Sequence, residues 1–411
     1  MLLRQSFDLL TATANNVRCI LEAGETTSLP GMKLNAFIST ASLLSVIQEA
    51  KAMDEKRAKG HTRSRLHGIP IVLNGLIVTG SFGMEITSGS FALESLKAAQ
   101  DATIAALLRR AGHVEWGNSK GIAVTSGSSA TQSPYVQEGV TQRIYSSRSS
   151  PGSAVATATS FAPLCIDTKA DGSFMQPAIR AALYGIKGTV VISDMANKQS
   201  GRAEFDSADP MTKSVEDCAD NGIRVTSLNY DIWQSSEALC EKTAAFDDEH
   251  MKTGNGYSYA RIKCFEALVT FGAPLMTVPN ITATYEAVGQ SQLATHQLAP
   301  TIKQYLPLFN EPPMGTLADV VEFNRTHTKY SLRPKASVHL YLLPSIAAMA
   351  GYPIASIPLG FFIYYGRLFG MEFMARNGQE EKTFKVMLAR EATFPEARRP
   401  PPLMLGWSSS K

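Results

Sequence analysis

"RLHGIPIVLNGLIVTG", residues 65–80, sets a short apolar run, Ile69 to Leu73, between a glycine-containing entry and a polar stop at Asn74-Gly75. A run of this length bounded by such signals has the pattern of a strand buried on both faces. Upstream, "ASLLSVIQEAKAMDEKRAKG" puts Leu43, Ile47, Ala50 and Met53 at helical spacing, and Gly60 ends the pattern. Downstream, "DATIAALLRRAGHVEWG" predicts a helix capped by Asp101, with Ile104, Leu107, Leu108 and Ala111 as its apolar stripe. Gly112 stops that helix before a short strand at His113 to Trp116. Alternation of strand and helix predicts an α/β sheet with helices on both faces.

The 411 residues are enough for a large core, and 44% hydrophobic with 18% charged residues is an ordinary globular balance. A net charge of +3, with no basic cluster interleaved with aromatics, argues against a nucleic-acid partner. Cys19, Cys165, Cys218, Cys240 and Cys264 are odd in number and scattered, without metal-ligand or redox spacing. That pattern predicts reduced, buried thiols in a cytoplasmic protein with no metal and no cofactor. No signal peptide or membrane-spanning run is evident, so no membrane span is expected.

Residues 145–160, "YSSRSSPGSAVATATS", read by composition as a solvated loop or linker. They lead directly into "AVATATSFAPLC", whose small residues suit close packing in a core, which weakens the linker reading. Residues 239–300 are mostly helical in pattern, interrupted by a strand-like "ALVTFGAPLMTVP". No internal repeat or domain boundary is evident, and residues 1–411 are read as one domain, core about 8–402, with an N-terminal helical part over 1–60.

Three segments carry the chemistry: "LHGIPIVLN", "SRSSPGSA" (147–154) and "IDTKADGSFMQPA" (166–178). Together they resemble the amidase signature family, most closely its fungal-type amidases. Ser173 then stands at the nucleophile and Ser149 at the proton-relaying serine, 24 positions apart (173 − 149). The position of the family's basic lysine, 75 places earlier (149 − 74), is Asn74. "LNAFIS", "GSFAL", "YGIKGTVVIS", "TLADVVEFN", "MAGYPIASIPLGF" and "RRPPP" follow the family's order. The resemblance implies an α/β/α sandwich around a large mixed, twisted sheet. It also implies a helix trimmed to "LPGM" between "GETTS" and "KLNAFI".

In that family a neutral lysine takes the nucleophile's proton through the relay serine, and backbone N–H groups before the nucleophile hold the oxyanion. By the resemblance the oxyanion loop and pocket fall at Ala170, Asp171, Gly172 and Ser150. Asn74 has no nitrogen able to accept a proton near neutral pH. Losing a general base typically costs ~10²–10⁴-fold in rate. Other positions depart too: Gly75-Leu76 replace an Asp-Asn pair, Lys169 an acidic residue, Met175 an arginine and Arg148 a glycine, and Pro151 follows Ser150. Lys169 is a candidate substitute base, although a loop lysine is more often solvated and fully charged. His67 reads as a packing residue.

Three functions follow. The first-ranked is non-classical carbonyl chemistry (cyclisation, elimination or isomerisation of a small molecule, of secondary-metabolism type), with Asn74, Ser149 and Ser173 as orienting groups. Next stands an amide or ester hydrolase or acyltransferase with Ser173 as nucleophile and a substitute base. The third is a non-catalytic binding or scaffold protein. The expected partner is a carbonyl-containing small molecule, and a homodimer is compatible with the resemblance.

Overall fold

The structure is a computed structural model. It describes residues 36–64, 66–80, 84, 86, 91–93, 96–119, 150–158, 162–169, 172–190, 206–219, 244–246, 275–277, 300, 302–310, 312, 314–327, 342–361 and 368–393. In chain order the elements are β1 (Phe37–Thr40), α1 (Leu43–Ala58), β2 (Pro70–Asn74), α2 (Thr103–Ala111), β3 (Val114–Ser119), α3 (Pro151–Ala158) and β4 (Leu164–Lys169). There follow α4 (Gly172–Arg180), β5 (Tyr184–Lys187), β6 (Ser207–Thr212), β7 (Ala244–Phe246) and β8 (Leu275–Thr277). The last are α5 (Leu317–Thr326), α6 (Leu342–Ala350), β9 (Ile354–Phe361), β10 (Leu368–Met374) and α7 (Glu380–Thr393).

Eight strands form one sheet in the order β1-β3-β2-β4-β6-β5-β9-β10. β2 runs parallel to both β3 and β4, and every other pairing is antiparallel, so the sheet is mixed as expected. β7 and β8 pair separately, in parallel.

Alternation along the strands sends side chains to two cores. On one face Ile71, Leu73, Leu164 and Ile166 pack with Ile104, Ala105 and Leu108 of α2 and with Tyr305, Leu306, Leu308 and Phe309. Further along, α7 packs Phe384 and Met387 onto Tyr184, Ile186 and Ile357. On the other face Val72 and Cys165 meet Val46 and Met53 of α1, and Met211 meets Ala154, Phe174, Met175 and Ala347 from α3, α4 and α6. Two helical layers around a sheet make an α/β/α sandwich.

The predicted β2 strand is present, shifted by one residue and wholly buried. α1 begins at Ser42, whose hydroxyl accepts from the Ser45 N–H at 3.2 Å, and it yields to Gly60 as predicted. Gly112 closes α2 in the left-handed conformation, φ 96°. The Asp101 cap is corrected: the N-cap is Ala102, without a side-chain bond. Asp101 turns away because stronger partners compete for its carboxylate, which accepts the Gly80 N–H at 2.7 Å and pairs with Arg109 at 2.6 Å. His67 is buried packing, its Nε2 3.0 Å from the Met53 carbonyl. The hydroxyl-rich stretch is not a linker where it is described: Pro151 to Thr157 are buried in α3, whose small side chains let the helix lie close on the sheet. Cys165 and Cys218 are buried thiols. Residues 1–35 and most of 239–300 lie outside the described residues, and with them the trimmed helix and the helical pattern read there; β8 falls within the strand-like stretch.

Candidate active site

Position 74 ends β2, and the β2–β4 register (Leu73 beside Ile166) sets Asn74 next to Asp167. Both side chains are buried, at 1% and 0% exposure. Asn74 Nδ2 donates to Asp167 Oδ1 at 2.9 Å, and its Oδ1 accepts the Leu76 N–H at 3.0 Å. These two bonds fix which end of the amide faces the carboxyl.

Ser150 stands at the start of α3, where its carbonyl accepts the Ala154 N–H at 3.3 Å. Its hydroxyl donates to the same Asp167 Oδ1 at 2.9 Å, and the Thr168 N–H adds a third donor at 2.7 Å. Among the described residues no hydrogen bond reaches Oδ2, although Ser153, one turn along α3, also faces the carboxyl. Burial pushes the Asp167 carboxyl above the usual carboxylate range; the Ser153, Ser150 and Asn74 side chains and the Thr168 N–H pull against that rise without cancelling it.

The second serine is joined to the first through the backbone: the Ser150 N–H donates to the Ser173 carbonyl at 3.2 Å. Gly172 opens α4 and Ser173, half-buried, lies in its first turn, where backbone N–H groups have no partners within the helix. α4 is pressed against the sheet by Phe174, Met175 and Ala178. One turn beyond Ser173, Gln176 Nε2 donates to Glu372 Oε1 at 2.9 Å. Burial raises this carboxyl to about 7, with the Gln176 bond opposing. The Glu372 side chain is half-buried by surface area, which limits how fully it is desolvated.

The acidic row continues across the sheet. Asp167 is directly opposite Asp209 in the β4–β6 register, so the two carboxyls share a face. Asp209 accepts the Gly188 N–H at 3.1 Å and lies near the fully buried Lys187, whose Nζ donates to the Gly188 carbonyl at 3.2 Å. Desolvation lowers the Lys187 ammonium below its usual range, and the charges of Asp209, Asp206 and Glu380 act against that.

Of the sequence-predicted residues, the structure brings Asn74, Ser150, Gly172 and Ser173 to one end of the sheet. Ser149, Ala170 and Asp171 lie outside the described residues, and Lys169 is described only as the last residue of β4. Asp167 was not singled out from sequence. The available signal was a lone acid inside the apolar strand "LCIDTK", on the alternation face of Cys165. Among the described residues no group of three or more His, Cys, Asp or Glu is placed to hold a metal, and no helix is long and apolar enough to cross a membrane.

A mixed sheet between two helical layers defines an α/β/α sandwich protein, with the backbone-linked Ser150 and Ser173 at one end of the sheet. The pattern of the family described as Amidase matches residues 31–272, more than half of the sequence. The chain belongs to the amidase family. It is 33% identical over 220 residues to a glutamyl-tRNA(Gln) amidotransferase subunit of Cupriavidus metallidurans, a match covering 53% of this chain and 43% of that protein. The chain spans less than half the length of the curated relatives it matches. Solved structures share the fold. An amidase family protein from Bacillus anthracis superposes with a TM-score of 0.80 at 19% identity, covering 95% of this chain and 89% of that one. The native peptide amidase from Stenotrophomonas maltophilia gives 0.77 at 23% identity, covering 97% and 98%.

Proposed function

We propose that this protein is an amidase-family enzyme that acts on a carbonyl-containing small molecule at the Ser150–Ser173 site without a lysine base. The observation that carries the reading is the double tether of Asn74. Its Nδ2 is committed to Asp167 and its Oδ1 to the Leu76 N–H, so the residue at the lysine position is a fixed, neutral orienting group. Fixed donors that stabilise a tetrahedral oxyanion stabilise an enolate or polarise a ketone equally well. This favours cyclisation, elimination or isomerisation over lysine-dependent amide cleavage.

A second reading, hydrolysis or acyl transfer from Ser173, is favoured by the bond from the Ser150 hydroxyl to Asp167, which supplies a proton acceptor beside the nucleophile's backbone. The peptide amidase neighbours fit that reading. Reaction of the purified protein with a fluorophosphonate, compared with Ser173→Ala, separates the two. Non-covalent carbonyl chemistry predicts no Ser173-dependent labelling. Labelling abolished by Ser173→Ala establishes an activated nucleophile and puts hydrolysis or acyl transfer first.

A further inference from the structure

We propose that Asp167 is the proton acceptor of this site and acts through the Ser150 hydroxyl, so that a carboxylate–serine pair stands in for the lysine and its relay serine. The inference rests on the second reading, in which Ser173 is the nucleophile, and it names the group that takes the proton there. Three donors converge on Asp167 Oδ1 from three different elements: Asn74 at the end of β2, Ser150 at the head of α3 and the Thr168 N–H within β4. A carboxylate held that way cannot rotate away from Ser150. The Ser150 O–H already points at Oδ1, which is the direction a proton must travel to reach a base. The Ser150 N–H donates to the carbonyl of Ser173 and so ties the relay residue to the half-buried serine.

The step balances simply. The Ser150 O–H bond breaks as the Asp167 Oδ1–H bond forms, while Ser150 Oγ takes a proton from the reacting hydroxyl. Asp167 ends as the carboxylic acid, the reacting group as the anion, and Ser150 unchanged. With a fluorophosphonate, the Ser173 Oγ–P bond forms, the P–F bond breaks, fluoride departs and the proton rests on Asp167. Asp167 is therefore a positioning residue acting through Ser150. The titratable group facing it from β6 is Asp209, with Lys187 of β5 beyond. Burial disfavours charge on Asp167 and makes its ionised form a better base than an exposed aspartate.

The test uses the full chain as wild type, Asp167→Asn, Ser150→Ala and Ser173→Ala. Fluorophosphonate labelling rates and thermal unfolding midpoints are each followed against pH. In the wild type the labelling rate should rise as Asp167 ionises, and Asp167→Asn and Ser150→Ala should each slow it about 100-fold and flatten its pH profile. The melting curves have their own sign. Asp167 titrates above its unfolded value, so its contribution to wild-type stability is lost as pH rises through the folded pKa, and the neutral Asn variant should gain on the wild type as pH rises. Wild-type labelling in Asp167→Asn, with an unchanged pH profile, overturns the inference and leaves the active-site reading standing. A pH-independent stability loss in that variant also overturns it, showing Asp167 to be a structural acceptor. Absence of labelling in the wild type removes Ser173 as a nucleophile and overturns the inference with it, since a stability difference that grows with pH reports only that a buried carboxyl titrates.

Discussion

At position 74 a single amide sets what chemistry is open to the site. Restoring a lysine there should not restore amide hydrolysis, because the new ammonium would meet the Asp167 carboxyl that Asn74 now contacts at 2.9 Å. A lysine paired with a buried carboxylate is held in its charged form, and a charged lysine accepts no proton. Asn74→Lys should therefore hydrolyse simple primary amides no faster than the wild type; a clear gain would sink this account. Sequence made Asn74 and Ser173 conspicuous because both occupy positions with a recognisable spacing. It left Asp167 unremarked, because the residue's importance comes from the β2–β4 register, which pairs positions 93 residues apart. No local pattern encodes that juxtaposition.

Helix α4 carries Ser173, and its placement depends on how closely it lies on the sheet. Gly185 in β5 makes that approach possible: a Cβ there would fall 2.5 Å from Phe174 Cε1 and 3.1 Å from Ser356 Oγ. Gly185→Ala should push α4 outward, cost about 1–3 kcal/mol by chemical denaturation, and loosen the bond between Ser150 and the Ser173 carbonyl. An alanine variant as stable as the wild type would show that the helix has slack the packing does not suggest. Elements of strong period were legible in sequence: β2, α1 and α2 lie within a residue or two of where periodicity puts them. α3 was less legible, since a serine-, glycine- and alanine-rich segment has a loop's composition, and only its burial under the sheet makes it a helix. The Asp101 cap failed for a related reason, since Arg109 and the Gly80 N–H compete for the same carboxylate.

Across the whole molecule the Glu372–Gln176 contact joins the far edge strand, β10, to the helix that bears Ser173. Glu372 titrates near 7 in the fold against 4.5 ordinarily, so its contribution to stability is present below about 4.5 and is lost as pH rises through about 7. Glu372→Gln should remove that loss, raising stability at pH 8 relative to wild type by about 1–3 kcal/mol with little difference at pH 4, the half-buried side chain favouring the lower figure. Equal pH dependence in the two proteins, measured by urea unfolding, would show that Glu372 does not titrate as burial implies. The sheet's order has a separate consequence for the chain as it is made. β5 pairs on one side with β6, a close neighbour in sequence, but on the other only with β9, which begins 167 positions after β5 ends (354 − 187). At ~5–20 residues per second a ribosome needs roughly 8–33 s to cover that distance. Through that interval the growing sheet presents an unsatisfied edge, of the kind that recruits chaperones and seeds association between nascent chains.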